Sequence, residues 1–109
     1  MGVGSSITFK VRDRSAKARK YGVSLVVADR KRVKHGQLQR PGKNGSGDFA
    51  GMKRRKHGIF TYTPPHYTFP SWYLQKPGVY YWQALHIDCG VHAPSNCHVV
   101  SRIRHFRVG

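Results

Sequence analysis

The sequence predicts an all-β domain, a single sandwich of two antiparallel sheets with about seven strands. Three observations carry that expectation. Apolar and polar residues alternate over short runs, as a strand half-buried against a core requires. The favoured residues are Val, Tyr, Phe, Thr and Trp, which fit a pleated surface, and 12 Gly and 6 Pro punctuate them. Finally, Pro77-Gly78-Val79-Tyr80-Tyr81-Trp82 places aromatics directly after a Pro-Gly corner. A Tyr at such a corner packs its ring in the core while its hydroxyl bonds backbone across the corner. With 109 residues there is room for one domain, 1–109, and one core.

The elements follow in chain order. Ile7, Phe9 and Val11 alternate with Thr8, Lys10 and Arg12, giving a strand with one wet face. Arg14 to Lys20 is basic with two alanines, a loop or one helical turn. Tyr21 to Ala28 is apolar on both faces and is expected to be a central strand. Asp29 to Lys34 is a charged continuation or turn, and residues 29–56 together read as a basic, loop-rich insert. Within it, Arg40 to Asp48 is a loop in which Asn44-Gly45 favours a tight turn with positive φ. Gly42, Gly45 and Gly47 read as loop flexibility rather than as a nucleotide cradle.

Phe49 to Met52 is a short strand, followed by Lys53-Arg54-Arg55-Lys56. Ile59 to Thr63 alternates again and stops at Pro64-Pro65. His66 to Tyr73, broken by Pro70, is an ordered crossover anchored by Trp72 or Leu74. Val79 to Cys89 and Cys97 to Val108 are the final strands. Tyr80, Trp82 and Ala84 share one face while Leu85 and Ile87 share the other, so a bulge or partial burial of both faces is needed.

Three of these segments resemble parts of the fibronectin type III-like, immunoglobulin-like sandwiches found in bacterial secreted and surface proteins. Tyr21-Gly22-Val23-Ser24-Leu25-Val26-Val27 looks like the third strand of that fold, which often begins with Tyr. Leu74-Gln75-Lys76-Pro77-Gly78-Val79-Tyr80-Tyr81-Trp82 is similar to the corner before its sixth strand, with Val79 where Thr is usual. Ser101 to Val108 resembles its closing strand, a Ser followed by a Phe-x-Val ending. The resemblance implies that Phe9 stands in for the Trp usual on the second strand and that the first strand is reduced. Nothing in it corresponds to the basic 29–56 stretch. For function it implies a non-enzymatic extracellular or cell-surface module that binds or spaces, because such sandwiches serve adhesion, spacer, sugar-binding and receptor roles alike.

Charge points to the partner. Twenty Lys and Arg face four Asp and no Glu, a formal net charge of +16. Sixteen of the basic residues and three of the Asp lie in residues 1–56. One end of the domain should therefore carry a strong positive field that attracts anionic polymers or membrane surfaces. The expected contacts are Arg30, Lys31 and Arg32 together with Lys53, Arg54, Arg55 and Lys56. Outside a cell the partner would be an acidic glycan, a cell-envelope polymer or lipid head groups. The alternative is an intracellular nucleic-acid-binding protein, in which the same side chains neutralise phosphates and Tyr62, Tyr67 and Trp72 stack on bases.

Cys89 and Cys97 are the only cysteines, spaced C-x7-C across a loop, and strand ends flanking a hairpin can bring two cysteines to bonding distance. Buried free thiols and a zinc site with His92, His98 and His86 are the alternatives. Zinc ligands normally come paired as C-x2-C or H-x3-H, which this sequence lacks. A disulfide would place the chain in an oxidising compartment, extracellular or in the cell envelope. The seven histidines (35, 57, 66, 86, 92, 98 and 105) fit no H-E-x-x-H or paired-carboxylate context, and no nucleophile elbow is present. No catalysis, metal or cofactor is expected. No run of eighteen apolar residues occurs, so no helical membrane span is expected, and Met1 to Ser6 lacks the apolar core of a leader.

Overall fold

The computed structural model describes the chain apart from Met1, Ser5 and the segments 65–70 and 87–98. In chain order the elements are β1 (Phe9–Arg12), α1 (Ala16–Tyr21), β2 (Val23–Ala28), β3 (Val33–Lys34), β4 (Gln37–Leu38), β5 (Gly47–Gly51), β6 (Lys53–Arg54), β7 (Ile59–Tyr62), β8 (Gly78–His86) and β9 (Arg104–Val108). Short 3-10 turns lie at Lys56–Gly58 and Ser71–Leu74. The strands form a four-stranded sheet in the order β5-β2-β8-β9, a three-stranded sheet β1-β7-β6 and the small hairpin β3-β4, all antiparallel. The protein is mainly β, as its alternating runs require.

The inner faces of the two larger sheets share one core. Phe9 and Phe60 contribute from one sheet; Val23, Leu25, Val27, Tyr80, Ala84 and Val108 contribute from the other. Phe9 makes edge-on contacts to Trp82 at 5.2 Å and to Phe106 at 5.7 Å between ring centroids. Tyr80 is buried, and its hydroxyl donates to the Lys76 carbonyl at 2.9 Å across the Pro-Gly corner. Tyr73 and Leu74, both fully buried, plug the crossover into this core. The Trp72 side chain lies outside the described residues.

β2 is central and buried at all six positions. Its second face, with that of β8, is covered by the β3-β4 hairpin: Val26, Ala28, Leu38 and Leu85 cluster there, with Tyr81 and Ile103 at the margin. The mixed pattern of β8 therefore comes from burial on both faces. No bulge interrupts its register with β2, which runs unbroken from Val23 opposite His86 to Ala28 opposite Tyr81.

Several boundaries differ from the sequence-based expectation. Tyr21 ends a helix instead of opening a strand, and it is exposed. Ser15 caps that helix by accepting from the Ala18 N–H at 3.1 Å, Arg19 and Lys20 sit favourably in its last turn, and Gly22 at φ 85° stops it. Positive φ occurs not at Asn44-Gly45 but at His35 (54°) and Gly36 (74°), the two-residue turn between β3 and β4. Gly47 is not there for flexibility. A Cβ on it would lie 2.0 Å from the Val27 carbonyl oxygen and 2.5 Å from the Pro41 ring. Residues 29–56 are also less loop-like than their composition implies, since they carry four short strands, one of them the edge partner of β2. The closing strand is shorter than expected and starts at Arg104.

Candidate anion-binding surface

The basic surface arises where the chain changes sheets. β5 runs along β2 until Met52, whose N–H donates to the Val23 carbonyl at 2.8 Å. Met52 is buried, and the next two residues, as β6, pair instead with β7, Lys53 opposite Thr61 and Arg54 opposite Phe60. Lys53 and Arg54 are thus exposed on a sheet edge, where charged side chains also discourage edge-to-edge pairing. The chain then turns sharply. The Arg55 N–H donates to the Ile59 carbonyl at 2.7 Å, and His57 adopts a left-handed conformation (φ 60°, ψ 33°).

Gly58 docks this elbow onto the segment before α1. The Asp13 N–H donates to the Gly58 carbonyl at 2.8 Å. A Cβ at Gly58 would meet the Arg14 Cγ at 2.7 Å and the Asp13 carbonyl oxygen at 3.0 Å, and its φ of +72° suits only glycine well. Three arginine side chains are held by neutral oxygens. Arg54 Nη1 donates to the Arg19 carbonyl at 3.3 Å, Arg14 Nε to the His57 carbonyl at 3.4 Å, and Arg55 Nε to Thr61 Oγ1 at 3.2 Å. Each bond uses one of five guanidinium N–H donors, so the others remain for an anion.

Two concavities flank the ridge formed by Arg54, Arg55, Lys56 and His57. One, on the helix side, is completed by Arg14 and Arg19. The other opens over the outer face of the three-stranded sheet and is completed by Lys10, Ile59 and Thr61. Among the described residues, none of these lysines and arginines has a carboxylate within ion-pair distance. Asp13 borders the helix-side concavity but is committed elsewhere. One carboxylate oxygen accepts from the Ser15 N–H at 2.9 Å, and the other lies 2.7 Å from His86 Nε2. Burial pushes the Asp13 carboxyl up, but the Ser15 and His86 bonds outweigh it and hold its pKa below the usual carboxylate value.

The structure does not gather all seven expected contacts. Arg30, Lys31 and Arg32 follow the far end of β2, while Lys53 to Lys56 lie beyond its start. Six residues of strand separate the two groups, about 17 Å. Arg32 is exposed but engaged locally, its Nη2 donating to the Arg40 carbonyl at 2.7 Å beside a small cavity with Asp29, Gly42 and Asn44. In place of this trio, the fold supplies Lys10, Arg14, Arg19 and His57. Alternation in the sequence puts Lys10 on a wet strand face, but the β6-β7 pairing and the Gly58 elbow that unite these residues have no local signal.

The remaining candidates separate cleanly. Cys89 and Cys97 lie outside the described residues, as do His66, Tyr67, His92 and His98. Tyr62 is drawn into the core margin, its hydroxyl donating to Asp48, and His86 is buried against Asp13. Tyr81 and Trp82 are partly buried on opposite faces of β8. Among the described residues, no three His, Cys, Asp or Glu side chains stand close enough to hold a metal ion. No helix among them is long and apolar enough to cross a membrane. No protein-family model, curated protein or solved structure matches this chain.

Proposed function

We propose that this chain is a non-enzymatic, fibronectin type III-like binding module that holds an acidic polymer against the Arg54–His57 ridge outside the cell or on its envelope. The strand orders support the sandwich assignment. β2-β8-β9 with β5 beside β2 corresponds to the C-F-G sheet with an added C′ strand, and β1-β7-β6 corresponds to B-E-D. The Tyr80 corner bond lies at the matching crossover between sheets.

The observation that carries the functional reading is the convergence of Lys10, Arg14, Arg19, Arg54, Arg55 and Lys56 from three separate segments onto two adjoining concavities without a partnering carboxylate among the described residues. Uncompensated like charge lowers the stability of the fold, and an anionic ligand relieves that repulsion. The extracellular placement draws on the fibronectin-like resemblance and on the Cys89–Cys97 spacing. Intact mass with and without reductant tests the latter, with a loss of roughly two daltons expected in the unreduced protein for one bond formed.

Retention on immobilised heparin tests the binding role. The chain should bind at low salt and release with a steep log–log salt dependence, as charge-driven contacts require. Failure to bind any anionic polymer at low salt would contradict the reading.

A further inference from the structure

The ridge divides the basic surface into two seats, and this sets the shape of the ligand. Arg14 and Arg19 border only the helix-side concavity, and Lys10, Ile59 and Thr61 border only the sheet-side one. Arg54, Arg55, Lys56 and His57 border both. A single small anion would fill one seat and leave the other unsatisfied. A chain with anionic groups along its length satisfies both at once by crossing the ridge.

We infer that the ligand is a linear acidic glycan, sulfated or carboxylated, that crosses the Arg54–His57 ridge and places charged groups in both concavities. This rests on the polymer-binding role proposed above and adds the ligand's class, its minimum length and its path. The lining favours a glycan over a nucleic acid. Sequence-tolerant binding of single strands uses exposed aromatic rings as stacking platforms. Among the described residues, Phe60 at the helix-side seat is buried and Tyr62 is held in the core margin, which leaves the small His57 imidazole as the exposed ring at the two seats. Ile59 and Thr61 offer short apolar surface beside the cations, which suits a sugar face.

His57 is the pivot of this arrangement. It lies beside Lys56 at the crest of the ridge, borders both seats and holds a left-handed backbone that disfavours a non-glycine residue. Such local strain is retained where the surrounding structure or the function demands it. His57→Gly removes the strain and the ring together, so it separates binding from stability.

The test is a calorimetric titration of the full chain with size-defined heparin oligosaccharides, a single-stranded DNA of matched charge and inorganic sulfate. Oligosaccharides long enough to fill both seats should bind on the order of 100-fold more tightly than the shortest ones. Lys10→Ala and Arg19→Ala should each abolish most of that length-dependent gain. Both residues are exposed, and Arg19 contributes only its backbone carbonyl to the Arg54 bond, so the fold should be kept. His57→Gly should weaken long-chain binding while thermal stability stays equal or rises. Affinity that does not grow with length, or that ignores Lys10→Ala, overturns the ridge-crossing path even if heparin binds. Tighter binding of the DNA overturns the glycan class in favour of nucleic acid. Absence of binding to every polymer overturns the underlying function itself.

Discussion

The Tyr62 hydroxyl donates to the Asp48 carboxylate at 2.8 Å, joining β7 of one sheet to β5 of the other through a polar contact at the edge of the core. Asp48 is almost fully buried, and burial pushes its carboxyl pKa up, with the Tyr62 and Phe49 hydrogen bonds only partly offsetting this. Burial, then the Asp48 bond and charge, push the Tyr62 phenol up as well, so it remains a donor throughout the physiological range. Removing the donor leaves a buried acceptor unmet. Tyr62→Phe should cost about 1–3 kcal/mol in urea unfolding at neutral pH.

The two aspartates give opposite pH dependences. Asp48 has a raised folded pKa, so its contribution is complete below the unfolded value near 3.8 and is lost as pH rises through the folded value. Asp13 has a lowered folded pKa, so its contribution is present above 3.8 and is lost as pH falls through the folded value. Asp48→Asn keeps an oxygen acceptor for Tyr62 and removes the ionisation. It should raise stability at pH 7 and leave stability unchanged or lower near pH 3, as measured by thermal unfolding across that range.

Three tyrosines should answer removal of the hydroxyl in three ways. Tyr80→Phe loses the bond to the Lys76 carbonyl and should cost about 1 kcal/mol. Tyr62→Phe should cost more, because its partner is a buried carboxylate. The Tyr73 hydroxyl is buried with no hydrogen-bond partner among the described residues, so Tyr73→Phe should be neutral or stabilising. Urea midpoints of the three variants, at constant m-value, check the order.

Gln83 is the polar hub of the second face. Its side-chain oxygen accepts from the Leu38 N–H at 2.8 Å, and its nitrogen donates to the Gly36 and Ser101 carbonyls, each at 3.2 Å. Gln83→Leu strands three backbone groups and should cost about 2–4 kcal/mol. Amide exchange of Leu38 should accelerate in that variant before the rest of β2 and β8 opens.

At the elbow, Gly58→Ala combines a strained φ with a 2.7 Å approach to Arg14. Gly22 has open space around it, but its φ of 85° with ψ of −178° lies in a region that essentially only glycine populates. Gly58→Ala and Gly22→Ala should therefore both destabilise, by about 1–3 kcal/mol each, and only Gly58→Ala should also weaken heparin binding. Gly22→Ala should leave binding intact at temperatures where both variants are folded.

Alternation made the strands legible. A period of two puts Phe9 with Val11, Phe60 with Tyr62, and Tyr80 with Trp82 and Ala84 on common faces, and the structure turns each of those faces to the core. Residues 29–56 were not legible, because two-residue strands such as Val33–Lys34 and Lys53–Arg54 are too short to show a period. Tyr21 ends a helix where the sequence predicts a strand, because an apolar run does not mark where a capped helix ends and a strand begins; Ser15 and Gly22 carry that signal. For the candidate site, composition showed the charge but not its grouping. Which cations stand together depends on β5 leaving one sheet at Met52 and β6 joining the other, a long-range pairing that local sequence does not encode.

Heparin retention of two triple variants measures the placement of the basic site most directly. Arg54→Ala/Arg55→Ala/Lys56→Ala and Arg30→Ala/Lys31→Ala/Arg32→Ala remove the same charge from opposite ends of β2. The first should elute at much lower salt than the parent chain with a shallower salt dependence, and the second should elute close to the parent. Equal losses in the two variants would show that overall charge, and not the Arg54–His57 ridge, holds the polymer.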